Sequence, residues 1–357
     1  MNRQPVKVLI VDDSAVVRRV VSDCLGDRPE IEIVGTACNP YDARDKILNL
    51  APDVVTLDLD MPLMDGLTFL RLIMQHRPMP VVILSSLTAT GSRIALEALQ
   101  AGAVDIMEKP SASRFNPEEA TVLVHKIVAA AASRVLGPHP ELNSSLLRKV
   151  GSAERETRTF NPRKVILIGA STGGTEAIRQ ILAPLPPDLP GIAVVQHIPA
   201  AFSGPFASRL NELCRLEVRE ARHGDLLRTG TVLIAPGGRH LALRWTGSAY
   251  EALLGDGPKV HHQRPAVDVL FESAVKAGAG PHALGVLLTG MGADGAAGLL
   301  RLKESGGESI AQDEASCVVF GMPREAIKLG AARQVLPLKN ITTAIDQFAD
   351  SRAITAT

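Results

Sequence analysis

The stretch ILIGASTGGTEAI, residues 166–178, passes from an apolar run through a glycine-rich turn into a helical pattern. Strand, turn and helix in that order make one unit of a parallel α/β sheet. What the turn does can be read in two ways. As a phosphate cradle, its glycines and the helix N-terminal N–H groups would hold a nucleotide. As G-x-S-x-G, over Gly169-Ala170-Ser171-Thr172-Gly173, it is a strained elbow that presents a serine hydroxyl for attack. A dinucleotide fingerprint wants a glycine where Ser171 stands and an acid at the end of the next strand, where Gln196-His197 close IAVVQ instead. The cradle reading weakens accordingly.

Outward from this stretch the α/β alternation continues, with strands expected at 165–169, 192–196, 231–236 and 283–290. Upstream, residues 137–162 lose the period and gather proline, serine, glycine and charge, which marks a linker. Before the linker the alternation reappears, with strands expected at 6–11, 31–37, 53–59, 80–85 and 105–109. Asn39-Pro40 and Asn116-Pro117 read as N-cap plus first-turn helix starts. The expected organisation is therefore α/β throughout, in two domains: a five-stranded parallel unit over 5–135, a linker over 136–161 and a second doubly wound unit over 162–350.

A chain of 357 residues is long enough for two cores. Lysine plus arginine and aspartate plus glutamate both number 38, so no global field gathers nucleic acid or anionic lipid. Cys24, Cys38, Cys214 and Cys317 are widely separated and show neither zinc-ligand nor redox-pair spacing. No apolar run approaches the ~18 residues of a membrane span, and the start carries no signal core. A cytoplasmic protein without membrane insertion is expected.

In the first domain, carboxylates close apolar strands: Asp12 and Asp13 after VKVLIV, and Asp58 within DVVTLDLDMP. Strand ends of a parallel sheet form its ligand crevice, and three carboxylates gathered there repel one another unless a hard cation such as Mg²⁺ sits among them. Lys109, before Pro110, follows the fifth strand, and Ser85 ends the fourth. Each alone also reads as a helix cap or a solvated loop residue.

In the second domain, Ser171 needs a base and a group to orient that base. His197 follows IAVVQ, and Asp294 follows ALGVLLTG, so all three lie past C-terminal strand ends of one predicted sheet. Glycines 290, 292 and 295 allow close backbone approach, and N–H groups near Thr172 and Met291 can form an oxyanion hole. The structural alternatives are an N-cap serine, a core histidine bonded to a carbonyl, and Asp294 as N-cap of the helix beginning at Gly295. His261 and His262 read as polar-loop residues, and the remaining histidines as residues of turns, loops and helix ends.

Two resemblances weight these readings. Asp12-Asp13, Asp58 before Met61-Pro62 and Asp65-Gly66, Ser85 and Lys109-Pro110 together resemble the receiver domain of response regulators. The resemblance implies a flavodoxin-like fold, phosphoryl acceptance at Asp58, Mg²⁺ on Asp12, Asp13 and Asp58, and phosphoryl contacts from Ser85 and Lys109. Many receivers carry an aromatic residue three before the lysine; this chain has Ile106. In the second half, GASTGGTEAI, VVQHIP, APGGRHL, RPAVDVLF, LLTGMGADGAAGL and AQDEASCVVFGMPREAI resemble the chemotaxis protein-glutamate methylesterases. That resemblance implies a catalytic Ser171, His197 and Asp294, no metal for ester hydrolysis, and methylated glutamates and certain glutamines on the cytoplasmic helices of chemoreceptors as substrates. It also implies a histidine kinase as phosphoryl donor. A phosphorylation-controlled binding module is the alternative function, and a transcription factor is disfavoured because no basic recognition helix is visible.

Overall fold

The computed structural model describes residues 4–86, 88–109, 115–133 and 160–350. The chain divides into two compact units, Met1–Pro140 and Glu141–Thr357. Most of the expected linker (136–159) and Pro110 lie outside the described residues.

The first unit runs β1 (Val6–Val11), α1 (Ala15–Gly26), β2 (Ile31–Ala37), α2 (Pro40–Leu50), β3 (Val54–Asp58), α3 (Gly66–His76), β4 (Val81–Ser85), α4 (Ala89–Gln100), β5 (Asp105–Glu108) and α5 (Pro117–Ala131). Its parallel sheet has the order β2-β1-β3-β4-β5, a flavodoxin-like arrangement whose direction reverses between β1 and β3. Val11 pairs with Leu57 in register, so Asp12 and Asp58 leave neighbouring strands side by side. Both asparagine start signals act as expected. Asn39 accepts the Tyr41 and Asp42 N–H groups, and Asn116 forms a capping box with Glu119.

The second unit runs β6 (Val165–Ala170), α6 (Gly174–Leu182), β7 (Ile192–Gln196), α7 (Ala200–Leu213), β8 (Glu217–Glu220), β9 (Leu226–Leu227), β10 (Thr231–Ile234), β11 (His240–Trp245), β12 (Tyr250–Gly255) and α8 (Val267–Lys276). A short 3₁₀ turn (Gly280–His282) leads into β13 (Ala283–Leu287), α9 (Ala296–Glu304), β14 (Glu308–Gln312), α10 (Met322–Lys328), β15 (Gln334–Leu336) and α11 (Leu338–Asp350). Seven strands form a parallel sheet in the order β15-β14-β13-β6-β7-β10-β8. Every residue of β6, β7, β10 and β13 is buried, so both faces of the sheet's centre are covered.

The sheet is larger than periodicity indicates, because β8 and β15 are short edge strands with polar residues and β14 is only five residues long. A further departure is the antiparallel layer β11-β12-β9. Alternate residues of its hairpin, Leu241, Leu243, Tyr250 and Ala252, enter the core that α8 also fills with Leu270 and Phe271. Doubly wound describes the large sheet, and the hairpin layer is an addition to it.

Candidate active site

Strand β6 pairs with β7 on one side and β13 on the other, and the direction in which strands are added reverses between β6 and β13. A crevice opens at such a reversal, at the C-terminal strand ends. Ser171 follows β6 directly and its N–H donates to the Thr289 carbonyl at 3.0 Å. His197 follows β7 and its N–H donates to Ala170 O at 3.1 Å. Since Gln196 is the register partner of Ala170, Ser171 and His197 leave adjacent strands at the same level. Asp294 comes after β13, in the turn before α9.

The imidazole of His197 meets Asp294 with Nε2 2.8 Å from Oδ2, and both side chains are almost wholly buried. An ionised carboxylate only accepts, so Nε2 carries the hydrogen and Nδ1 holds the lone pair. Nδ1 is itself buried and has no hydrogen-bond partner. Burial alone would raise the Asp294 pKa. The hydrogen bond and charge of His197, with the N–H groups of Asp268 (3.0 Å) and Val267 (2.7 Å), outweigh that effect and hold the carboxyl below the usual aspartate range.

The structural alternative for Asp294 is decided here. Asp294 does not cap the helix that follows it: Gly295, with φ 84°, occupies that position and α9 starts without a side-chain cap. Its two oxygens instead serve the N-terminus of α8, where Ala266 has no side chain able to do so. The elbow carries its positive φ on Gly173 (75°), a residue that adopts it without strain.

Ser171 is held by close packing. A Cβ on Gly290 would stand 2.6 Å from Ser171 Cβ and 2.4 Å from Met322 Sδ, so only glycine admits the serine at that distance. Gln196 Nε2 donates to the carbonyls of Ser171 (2.8 Å) and His197 (3.2 Å), tying the two turns together. The Thr289 hydroxyl accepts the Val319 N–H at 2.9 Å and lies 3.0 Å from the Thr172 carbonyl. Neither Gln196 nor Thr289 is charged or nucleophilic at neutral pH, which is why neither reads as a site residue. A polar residue ending or following a buried apolar strand was the signal available. Thr172 is buried and Met291 partly exposed, on the turns after β6 and β13.

In the first unit, Lys109 Nζ lies 2.8 Å from both Asp12 Oδ2 and Asp58 Oδ2, and each carboxylate is 1% exposed. Burial raises the Asp12 pKa and Lys109 opposes it; for Lys109, burial acts downward and the two carboxylates carry the net shift upward. Carboxylate oxygens of Asp12, Asp13 and Asp58 lie within 4.8 Å of one another. Hard oxygen donors so close, compensated by one ammonium, suit a small divalent cation such as Mg²⁺. Gly66 belongs to this site as well: a Cβ there would stand 2.1 Å from the Asp58 carbonyl. The Ser85 hydroxyl is buried 3.4 Å from the Ser86 and Gly91 carbonyls. Ile106 is a core residue opposite Ile83.

Residues 166–345 match the family CheB methylesterase, and residues 8–116 the response regulator receiver domain. Protein-glutamate methylesterase/protein-glutamine glutaminase 2 of Syntrophus aciditrophicus (strain SB) is 50% identical over 340 residues, 95% of this chain and 98% of that protein. Protein-glutamate methylesterase/protein-glutamine glutaminase 4 of Anaeromyxobacter dehalogenans (strain 2CP-C) is 50% identical over 349 residues, 97% of this chain and 96% of that one. The crystal structure of the Thermotoga maritima CheB methylesterase catalytic domain matches with a TM-score of 0.50 and 39% identity, over 52% of this chain and 97% of that chain. No helix among the described residues is long and apolar enough to cross a membrane. With a receiver unit ahead of an α/β hydrolytic unit, and relatives matched over nearly their whole length, the chain belongs to the CheB methylesterase family of chemotaxis response regulators and is a protein-glutamate methylesterase and glutaminase.

Proposed function

We propose that Ser171, His197 and Asp294 form the hydrolytic triad and act on methylated glutamates, and on certain glutamines, of the cytoplasmic helices of chemoreceptors. The observation that carries this reading is the lone pair of His197 Nδ1, buried and unpartnered beside the turn that bears Ser171. A buried basic nitrogen without a donor calls for a functional explanation. Nδ1 takes the Ser171 Oγ proton as the oxygen attacks the γ-carbonyl carbon, and Asp294 holds the imidazolium through Nε2–H. The N–H groups of Thr172 and Met291 receive the oxyanion. As the tetrahedral adduct collapses, Nδ1–H protonates the departing methoxide, which leaves as methanol, or the former amide nitrogen of a glutamine, which leaves as ammonia. Water, deprotonated by Nδ1, then attacks the acyl carbon, and the proton passes from Nδ1 to Ser171 Oγ as the C–Oγ bond breaks and glutamate is released.

Control belongs to the receiver domain, which spans 5–135 in this reading, with a linker over 136–161 and the catalytic domain over 162–350. Asp58 accepts the phosphoryl group from a chemotaxis histidine kinase. Asp12, Asp13 and Asp58 would hold the Mg²⁺ that neutralises charge during transfer, while Lys109 and Ser85 meet the phosphoryl oxygens. The setting is the cytoplasm and the role is sensory adaptation. The test is methanol release from methylated receptor membranes together with a serine-directed fluorophosphonate. Ser171→Ala is expected to abolish both turnover and labelling while Asp58 still accepts phosphate; turnover surviving that change overturns the assignment.

A further inference from the structure

The motif RPAVDVLF contains a buried carboxylate that the triad does not use. Asp268 is 5% exposed, on the first turn of α8. Its N–H donates to Asp294 Oδ1 at 3.0 Å, and its own Oδ1 accepts the Gly298 N–H of α9 at 2.7 Å. A Cβ on Gly298 would stand 2.9 Å from that oxygen, so the glycine makes room for the carboxylate. On its outer side, Asp268 Oδ2 lies 3.0 Å from His261 Nε2. Ligand atoms of His261, Asp268 and Asp294 all fall within 4.8 Å. From the active site outward the order is His197, Asp294, Asp268, His261: two buried carboxylates back to back, each with an imidazole on its far side.

The turn that presents His261 is unusual. Val260 and Gln263 exchange both backbone hydrogen bonds, at 3.0 and 2.9 Å, around His261 (φ 50°) and His262 (φ 62°). Positive φ at both central positions is what Asn-Gly satisfies without strain, and two histidines do not. Non-glycine residues held there point to a role for the side chain. Both histidines are exposed, and His261, with 46% of its side chain accessible, reaches one ring nitrogen in to Asp268.

Two adjacent buried carboxylates repel, and both stay ionised only if positive charge compensates each. His197 compensates Asp294, most strongly when it becomes the imidazolium during reaction. Burial pushes the Asp268 carboxyl above the usual aspartate range and Asp294, from the turn before α9, adds to the rise, while His261 is the facing titratable group that opposes it. Nearby Arg264 is turned to the carbonyls of Asp256 and Gly257, and His240 to Pro258 O and the Ala266 N–H, so neither compensates Asp268.

Resting on the reading of Ser171, His197 and Asp294 as the triad, we propose that His261 is a positioning residue for the hydrolysis. By pairing with Asp268 it compensates the second carboxylate, which keeps Asp294 the ion that orients His197 and sets the pH at which Nδ1 becomes a free base. Removing the ring takes away the positive charge it carries when protonated, and with Asp268 then uncompensated beside Asp294 the added negative field favours the imidazolium of His197. The acid limb of serine reactivity then moves to higher pH.

The experiment follows the rate of Ser171 labelling by a fluorophosphonate against pH, in the full chain without phosphoryl donor, so that neither receptor docking nor phosphorylation enters. His261→Asn is the variant of choice, because asparagine tolerates the left-handed turn and loses only the titratable ring. Its acid limb is expected about half a pH unit above that of the parent, a roughly threefold slower rate on the acid side, with little change on the alkaline plateau. In an Asp268→Asn background the same change at His261 is expected to leave the limb in place. A limb unmoved by His261→Asn overturns the proposal even if urea unfolding shows a loss of stability. An equal shift in both backgrounds overturns it too, since His261 would then not act through Asp268. Labelling lost in Ser171→Ala with the limb unmoved sinks this inference alone, whereas turnover that survives Ser171→Ala sinks the triad reading and this inference with it.

Discussion

At the scale of single residues, Asp294 carries two duties that its place in the chain does not announce. It orients His197 and supplies both acceptors for the N-terminus of α8. Asparagine retains one carbonyl oxygen and turns the other position into a donor that faces N–H groups. Asp294→Asn is therefore expected to lower turnover about 10³- to 10⁴-fold through the wrong tautomer of His197, measured as methanol release. It is also expected to destabilise the catalytic unit by about 1–3 kcal/mol in urea, because a buried backbone N–H loses its partner. The pH dependence has a definite sign. The folded-state pKa of Asp294 lies below the ordinary 3.8, so its stabilisation is complete above that value and fades as pH falls through the folded pKa. The stability gap between parent and variant should thus narrow in acid. A gap that widens in acid would assign the effect to another group.

At the scale of elements, Ser171, the proposed nucleophile, is placed by the joint between β6 and α6 and by the turn after β13. Gly173 absorbs the positive φ, and Gly290 lets the second turn touch Ser171 Cβ. Gly290→Ala inserts a methyl group 2.4 Å from Met322 Sδ and 2.6 Å from Ser171 Cβ; the thioether can swing aside, whereas Ser171, fixed at the end of β6, has to shift. A displacement of about 1 Å at a reacting atom costs on the order of 10²-fold in rate, so a loss of that size in methanol release is expected. Fluorophosphonate labelling should fall in parallel. Near-normal labelling with slow turnover would move the effect from Ser171 to the substrate pocket.

At the scale of the whole molecule, the proposal assigns phosphoryl acceptance and ester hydrolysis to separate compact units, so control between them is a shift of an equilibrium between less and more active states. A receiver that restrains the catalytic unit until phosphorylated predicts that a fragment from about Pro162 onward hydrolyses receptor esters faster than the unphosphorylated full chain. Carrying the population from 1:99 to 99:1 takes about 5.5 kcal/mol of differential stabilisation, so a partial response to phosphorylation is consistent with this device. Asp58→Asn is expected to stay at the basal rate with donor present, again by methanol release. A fragment no faster than the unphosphorylated chain would exclude restraint and require the receiver to contribute to the reaction directly.

What the sequence determined by itself is what depends on short-range pattern. Apolar runs with intervening helical periods marked two α/β units, asparagine-proline pairs marked helix starts, and polar residues at strand ends marked one edge in each unit: Asp12, Asp58 and Lys109 in the first, Ser171, His197 and Asp294 in the second. Strand order carries no local signature, and it is the order β13-β6-β7 that puts Asp294 and His197 on the two sides of Ser171. The hairpin β11-β12 and its partner β9 are not among the strands expected from the sequence, and the seat of the hairpin against α8 is set by burial. Only tertiary contact gave Asp294 to a helix that begins upstream of it, gave Gly290 its steric necessity and made Gln196 a clasp between two turns. It also turned His261 from a loop residue into the partner of a buried carboxylate, because hydrogen bonding and charge compensation are decided by which atoms meet in space and not by their separation along the chain.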